Sequence, residues 1–334
     1  MTYRIVYFGT PEYAVPALEQ LSTDDRFEVV LAVTQPDRPA GRGHKLTPPP
    51  VKASAERLGI SVYQPASLRS AEMRTPLVDA QADLFVVAAY GLIFGEKTLA
   101  IPKIACVNLH ASLLPAYRGA SPITAAILEG KESTGVSLMV MERGLDSGPV
   151  IAIGEIPIGP DATTASLTAE LASVGALLVK SQLARFAAGE IRPEPQVHDG
   201  ISFVRPLKKS DGWIDWTSSA VEIERQVRAM WPWPRAWTEV EGTVVQVHQS
   251  QIEEDEHLVE GAFGTVRDHQ GYPVAKCEEG NLRLTSVQFP GKQAIDARVA
   301  LANGQLRAGL VLNGTTPERA PIVTRPSDER STSA

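Results

Sequence analysis

Short apolar segments of strand character alternate with helix-forming segments through the first half of the sequence. Strand patterns lie at residues 5–8, 28–34, 62–63, 83–89 and 105–109, with helix patterns at 51–58 and 71–80. Residues 83–89 are almost continuously apolar, which is typical of a parallel strand buried on both faces. The alternation predicts an α/β fold with a doubly wound, mostly parallel sheet.

The same character continues to about residue 189. Strand patterns at 134–141 and 150–156 and a long helix pattern at 164–188 complete a predicted first domain of residues 1–189. In doubly wound sheets, ligands bind beyond the carboxyl ends of the strands. The loops expected to carry the site therefore follow Phe8, Ala89 and Leu109.

The second half of the chain has a different pattern. Residues 189–206 contain three prolines and two glycines without sustained periodicity, which predicts a linker at 190–207. Residues 208–311 combine one helix pattern at 220–229 with short strand-like segments, which turn residues separate, at 236–240, 244–249, 264–267, 272–276 and 282–287. This pattern predicts a small β-barrel. Residues 312–334 are rich in Thr, Ser, Pro and charge, which favours a disordered tail.

Composition excludes several classes of protein and site. Cys106 and Cys277 are the two cysteines of 334 residues, so neither a disulfide framework nor a metal site is expected. The amino terminus lacks a signal-peptide pattern, and the apolar run at 84–94 is too short for a bilayer, so we expect a cytoplasmic protein without membrane contact. No dinucleotide or P-loop glycine pattern follows the first strand.

Three polar residues lie where this fold places its chemistry. Asn108 and His110 are two residues apart at the end of a predicted strand, so their side chains point to one face. An amide donor beside an imidazole can stabilise an oxyanion and transfer a proton. Asp146 lies in a loop between Gly144 and Gly148, where the backbone can approach a ligand closely. A structural histidine and an ordinary turn remain alternative interpretations.

A long basic loop is the third candidate feature. Residues 35–50 include Arg38, Arg42, His44 and Lys45 but one acidic residue, Asp37. Such a loop can contact phosphates or be simply solvated. The net charge of −7 argues mildly against a polyanionic partner unless the basic residues are locally concentrated.

Several segments, taken in order, resemble the methionyl-tRNA formyltransferase family. They read F-G-T-P at 8–11, Q-P-D-R-P-A-G-R-G at 35–43, A-Y-G-L-I at 89–93, N-L-H-A-S-L-L-P at 108–115, Y-R-G-A-S-P at 117–122, T-G-V-S at 134–137, L-D-S-G at 145–148 and W-P-W-P at 231–234. The resemblance covers about residues 3–311. Ala111 departs from the family, which often has glycine there.

The resemblance implies an enzyme of translation initiation. It would transfer a formyl group from 10-formyltetrahydrofolate to the α-amino group of methionine on initiator tRNA, without a metal and without an obligatory protein partner. The catalytic residues implied are Asn108, His110 and Asp146, acting on a tetrahedral intermediate after direct amine attack. The second domain would be an OB-like barrel.

The resemblance also implies the binding residues. Folate would contact two loops: Ala89, Tyr90, Gly91, Leu92 and Ile93, and Ser112, Leu113, Leu114 and Pro115. The tRNA would contact Arg38, Arg42 and Lys45. A second basic set is a candidate stripe in the otherwise acidic residues 208–310: Lys208, Lys209, Arg225, Arg228 and Arg235.

Two alternatives to this function remain at the level of sequence. The same folate chemistry could act on another amine, such as glycinamide ribonucleotide or an amino sugar. The chain could also be a non-catalytic RNA-binding protein, against which the intact Asn108, His110 and Asp146 argue.

Overall fold

The computed structural model describes residues 2–40, 45–255, 258–314 and 316–326, and its first half is built on one large sheet. The strands of this half are β1 Tyr3–Gly9, β2 Phe27–Val33, β3 Arg38–Ala40, β4 Lys45–Thr47, β5 Val62–Tyr63, β6 Leu84–Ala88, β7 Ala105–His110, β8 Arg118–Gly119, β9 Ser133–Val140 and β10 Val150–Pro157. The helices are α1 Val15–Ser22, α2 Pro50–Arg57, α3 Ala71–Asp79, α4 Glu96–Leu99, α5 Pro122–Leu128, α6 Thr164–Leu178 and α7 Ala184–Ala187.

Within the described chain, the large sheet has the strand order β10-β9-β7-β6-β1-β2-β5. The strands from β7 to β5 in this order run parallel, while β9 and β10 pair antiparallel. Helices cover both faces, so Leu84 and Val86 join one core cluster and Phe85 and Val87 join another. This double burial explains the continuous apolar run of β6, and the predicted mostly parallel α/β sheet is confirmed.

The strand order reverses at β1, which lies between β2 and β6. The chain leaves β1 through a close turn, since a Cβ added at Gly9 would lie 2.6 Å from the Cβ of Ala14. Thr10 precedes Pro11, a pattern that predicts a helix N-cap at Thr10, but its side chain caps no helix. Its hydroxyl donates to the Tyr90 carbonyl, 3.1 Å away, and joins the loops after β1 and β6. In this topology the ligand crevice is expected at these two loops.

The long helix predicted at 164–188 is interrupted. The helix α6 ends at Leu178, a π-helical turn spans Val179–Leu183, and α7 follows. The residues after it, predicted to be a linker, pair with the first half of the chain. Glu194 exchanges two backbone hydrogen bonds of 2.8 Å with Val150, and β11 (Phe203–Val204) pairs in parallel with β8.

A buried ion pair, between Arg205 and Asp211, lies at the end of this segment. Arg205 donates two hydrogen bonds to the Asp211 carboxylate, at 2.7 and 2.8 Å, and the Lys208 backbone N–H donates a third at 2.6 Å. Burial alone would raise the pKa of Asp211, whose side chain is 1% exposed. The hydrogen bonds outweigh burial and hold that pKa below its usual value.

The second half contains an antiparallel sheet with two helices. Its elements are α8 Ala220–Ala229, β12 Ala236–Val240, β13 Thr243–Glu253, β14 Val266–His269, β15 Tyr272–Lys276, β16 Asn281–Gln288, β17 Ile295–Asp296 and α9 Ala297–Ala302. The strand order is β12-β13-β16-β15-β14, with β17 on β16. Residues 309–313 bridge the two edges, because Leu310 bonds to Val266 while Asn313 bonds to Glu239. This closure forms the expected small barrel.

The predicted disordered tail at 312–334 needs correction where the structure describes it. Leu312 is fully buried, and Val323–Thr324 forms β18, which pairs antiparallel with β11. Averaged composition obscured two apolar residues, Ile322 and Val323, that pack against the core near Tyr117. Residues 327–334 lie outside the described residues.

Candidate active site

Three polar side chains meet at the carboxyl end of β7. Asn108 and His110 belong to that strand, and Asp146 lies in the loop between β9 and β10. The Asn108 Nδ2 donates to Asp146 Oδ1 across 3.5 Å, and the His110 Nδ1 lies 3.6 Å from Asp146 Oδ2. The structure thus brings together an amide, an imidazole and a carboxylate from segments far apart in sequence.

The imidazole of His110 has a defined orientation. Its ring is 6% exposed, and Nε2 lies 2.9 Å from the carbonyl oxygen of Tyr117. A carbonyl oxygen can only accept a hydrogen bond, so Nε2 carries a proton. The Nδ1 atom, which faces Asp146, is therefore the ring atom that can take up or release a proton.

The carboxylate of Asp146 is held by backbone. The Gly119 N–H donates to Asp146 Oδ2 at 2.9 Å. Gly119 is itself confined, because its φ is +112° and an added Cβ would lie 2.4 Å from the Val204 carbonyl oxygen. Residues 117–119 thus supply partners for both His110 and Asp146.

Left-handed backbone is concentrated around these groups. Asp146 and Ala89 both have φ of +47°, and Tyr117 has φ of +60°. This conformation costs free energy for residues with a side chain and persists where surrounding contacts impose it. The site is therefore held by its neighbours rather than by local backbone preference.

Sequence reasoning missed several partners of these groups. Tyr117 and Gly119 act through backbone atoms, and the quoted Y-R-G segment was the one signal that could have pointed to them. Gln196, from the predicted linker, donates to the Asp146 carbonyl at 2.8 Å. Arg118 is buried nearby, and burial lowers the pKa of its guanidinium against the opposing effect of Asp146.

The first predicted folate loop, 89–93, follows β6 at the crevice. Tyr90 is buried against Phe8 and Phe94, with ring centroids 5.3 and 6.1 Å away, while Ile93 is 93% exposed. The Tyr90 hydroxyl has no hydrogen-bond partner among the described atoms. The loop thus offers backbone groups and an exposed apolar side chain beside the ends of β1 and β6.

The second predicted folate loop, 112–115, is more buried than the first. Ser112 is fully buried, and its hydroxyl donates to the Ala116 carbonyl at 2.6 Å. Leu114 is also buried, and its N–H donates to Ser137 Oγ at 3.1 Å. Leu113 and Pro115 keep part of their surface accessible, so they are the better placed of the four for ligand contact.

The basic loop forms a two-stranded hairpin of β3 and β4, with Arg38 opposite Thr47. Arg38 is exposed and donates to Gln35 Oε1 at 3.2 Å. The backbone of Lys45 begins β4, and Arg42 lies outside the described residues. The hairpin therefore carries Arg38 on an exposed surface near the loops of the crevice.

The second basic set does not form a free stripe. Arg228 bonds to Glu224 at 2.6 Å and to the Ala162 carbonyl at 2.9 Å. The Arg225 guanidinium lies against Gly130, and Arg235 bonds to two glutamine side chains. Arg225 and Arg228 hold α8 to its neighbours, and Arg235 holds its own segment to β13 and β16. Lys208 and Lys209, by contrast, are exposed.

Neither a cluster of metal-ligating side chains nor a membrane-spanning helix occurs among the described residues. They contain no group of three or more His, Cys, Asp or Glu side chains that could hold a metal ion. They also contain no helix long and apolar enough to cross a membrane.

The fold resembles those of two solved proteins that were crystallised with folate compounds. An N-formyltransferase from Helicobacter canadensis, in complex with folinic acid and dTDP-3-aminofucose, aligns with a TM-score of 0.63 at 18% identity over 85% of this chain and 99% of its own. HypX from Aquifex aeolicus, in complex with tetrahydrofolic acid, aligns with a TM-score of 0.57 at 18% identity over 97% of this chain and 51% of its own. At this identity the likeness concerns the fold alone.

Sequence comparison is more specific. Residues 3–181 match the family model for formyl transferase, and residues 206–305 match that for the formyl transferase C-terminal domain. Methionyl-tRNA formyltransferase of Roseiflexus castenholzii is 43% identical over 94% of this chain and 100% of its own length. That of Sorangium cellulosum is 41% identical over 92% of this chain and 99% of its own. The chain therefore belongs to the formyl transferase family, among the methionyl-tRNA formyltransferases.

Proposed function

We propose that the chain transfers a formyl group from 10-formyltetrahydrofolate to the α-amino group of methionyl initiator tRNA. The observation that carries this proposal is that Asn108 and His110 each lie within 3.6 Å of the Asp146 carboxylate. The chain is also more than 40% identical to named relatives over nearly its whole length. Because translation initiation is the process served, we expect the protein in the cytoplasm.

Asn108 would stabilise the oxyanion of the reaction. Attack of the amine on the formyl carbon gives a tetrahedral adduct whose oxygen carries negative charge. The Asn108 amide uses one N–H toward Asp146 and has a second N–H available for that oxygen. Donors fixed in advance of the reaction stabilise such charge strongly, because they need no reorganisation as it develops.

His110 would move the proton. The attacking nitrogen must lose a proton, and the leaving folate nitrogen must gain one. The Tyr117 carbonyl occupies Nε2, so Nδ1 is the atom that would accept the proton and then donate it. Asp146 would orient this imidazole and stabilise its cationic form during transfer.

The binding surfaces follow from the same arrangement. Residues 1–189 would hold folate through the loops at 89–93 and 112–115, with backbone groups and apolar side chains providing the contacts. Arg38, Arg42 and Lys45 would contact tRNA phosphates, and the barrel of residues 208–311 would add a further surface. The acidic balance of the barrel favours the hairpin as the main basic contact.

A formylation assay tests the proposal directly. Purified protein is given charged initiator tRNA and 10-formyltetrahydrofolate, and formylmethionyl-tRNA is quantified with glycinamide ribonucleotide and an amino sugar nucleotide as competing acceptors. We expect transfer to methionyl-tRNA. Transfer to another acceptor without transfer to methionyl-tRNA would replace the proposed substrate, and tRNA binding without any transfer would favour a non-catalytic RNA-binding protein.

A further inference from the structure

The segment that joins the two halves of the chain lies against the candidate active site. Glu194 pairs with Val150, directly after the loop that carries Asp146. Ser202 and Val204 bond to residues 117–120, which supply the partners of His110 and Asp146. Residues 194–204 thus form a wall of the site, in addition to connecting two domains.

Gln196 makes four side-chain hydrogen bonds in this wall of residues 194–204. Its Nε2 donates two hydrogen bonds of 2.8 Å, one to the Asp146 carbonyl and one to the Gly148 carbonyl. Its Oε1 accepts two hydrogen bonds from the buried Arg118 guanidinium, at 2.7 and 3.2 Å. One amide side chain therefore ties both ends of the turn at 146–148 to residue 118.

The turn at 146–148 requires these hydrogen bonds, because Asp146 has φ of +47°. A left-handed aspartate would relax toward an ordinary conformation unless its peptide groups were fixed, and relaxation would rotate its carboxylate away from Asn108 and His110. Gln196 fixes the carbonyl on one side of Asp146, while the Gly119 N–H fixes the carboxylate itself.

We propose that Gln196 is a positioning residue of this enzyme, which holds the Asp146 carboxylate where it contacts Asn108 and His110. The inference rests on the proposed formyl transfer. Gln196 bonds to backbone carbonyls and to Arg118, so its effect on the reaction passes through Asp146. Ser202 has a parallel role for the imidazole, because its Oγ accepts from the Tyr117 N–H at 2.9 Å and Tyr117 holds His110.

Two substitutions separate this role from simple structural support. Gln196→Met keeps the length of the side chain and removes all four hydrogen bonds. Gln196→Glu keeps an acceptor for Arg118, as an ion pair, but replaces the donor that faces the two carbonyls with an oxygen. If Gln196 only satisfies Arg118, the Glu variant behaves like the parent. If it holds the turn, the Glu variant is at least as impaired as the Met variant.

We expect both variants to lower kcat about 10- to 100-fold while the KM values for tRNA and folate stay within about threefold. Gln182→Met is the matched control, because Gln182 also accepts from an arginine, Arg185, but lies in the π-helical turn before α7. The inference is overturned if the Glu variant retains the parent kcat, if the Met variant does so, or if the loss appears in KM alone.

Hydrogen exchange provides a readout that needs no substrate. Peptides covering residues 142–149 are expected to exchange faster in Gln196→Met than in the parent or in Gln182→Met. Unchanged exchange there overturns the inference whichever amine the enzyme uses. If the parent formylates another acceptor instead of methionyl-tRNA, the proposed function fails, and the kcat ratio on that acceptor still decides the role of Gln196.

Discussion

Removal of the Asn108 amide separates two roles that the structure gives it. Its Nδ2 contact with Asp146 is 3.5 Å long, at the limit of a hydrogen bond, so its loss should cost less than about 1 kcal/mol of the free energy of unfolding. Loss of an oxyanion donor typically lowers kcat about 10²- to 10³-fold, or about 2.7–4 kcal/mol of barrier. Asn108→Ala should therefore lose activity and keep its stability.

The isosteric change Asn108→Asp should be worse in both respects. It places a second carboxylate about 3.5 Å from that of Asp146, and two unit charges at this separation repel by about 5 kcal/mol at an effective dielectric of about 20, before relaxation. The new carboxylate also lacks a donor for the oxyanion. We therefore expect this variant to fall below Asn108→Ala in kcat and in melting temperature.

The assay is steady-state formylation of charged initiator tRNA, with thermal unfolding measured on the same preparations. Asn303→Ala, at an exposed asparagine just after α9, controls for the loss of an amide elsewhere. Retention of kcat within about threefold by Asn108→Ala would refute the oxyanion role. A large loss of stability in that variant would show instead that the amide mainly supports the fold.

Three further changes test the hairpin, the backbone at the site and the buried ion pair. Arg42→Ala should raise the KM for tRNA and leave the KM for folate unchanged, with a weaker salt dependence of tRNA binding. Gly119→Ala should lower the free energy of unfolding by about 1–3 kcal/mol and reduce kcat, whereas Gly159→Ala, where an added Cβ meets no atom within 4 Å, should stay within about 0.5 kcal/mol. Asp211→Asn should cost about 3–5 kcal/mol near pH 7 in chemical denaturation by leaving the Arg205 charge unpaired. Because the folded pKa of Asp211 lies below its usual value of 3.8, the ion pair contributes fully above that pH, and the difference between variant and parent should shrink as pH falls through the folded value.

Sequence patterns predicted the regular elements well where strong local signals mark their ends. The helix at 220–229 has the predicted bounds, because the Ser219 side chain accepts from the Glu222 N–H and fixes its start. The strands at 236–240 and 272–276 also have the predicted bounds, since turn residues flank them. The sheet edge at which the loops after β1, β6 and β7 lie was predicted too, because its place depends on strand order and direction rather than on side-chain detail.

The failures have a common physical cause in long-range contacts. The Thr10 hydroxyl bonds to a carbonyl 80 residues away instead of capping the adjacent helix. The segment around Val323 was assigned to a tail because its pairing with Phe203–Val204 has no local sequence signature. Local propensity is a weak guide wherever a distant partner satisfies the same backbone or side-chain group.

The candidate site shows the same difference between features set by local sequence and features set by distant contacts. The directions of Asn108 and His110 follow from strand alternation, so residue types and spacing were sufficient to place them on one face. The direction of the Asp146 carboxylate depends on a left-handed backbone and on bonds from Gly119 and Gln196, which are 27 and 50 residues away. Substitutions in those supporting residues should therefore change activity while the sequence motif of the site remains intact. A motif of catalytic residues alone does not ensure a competent site, because the residues that hold the loop carboxylate in place lie outside it.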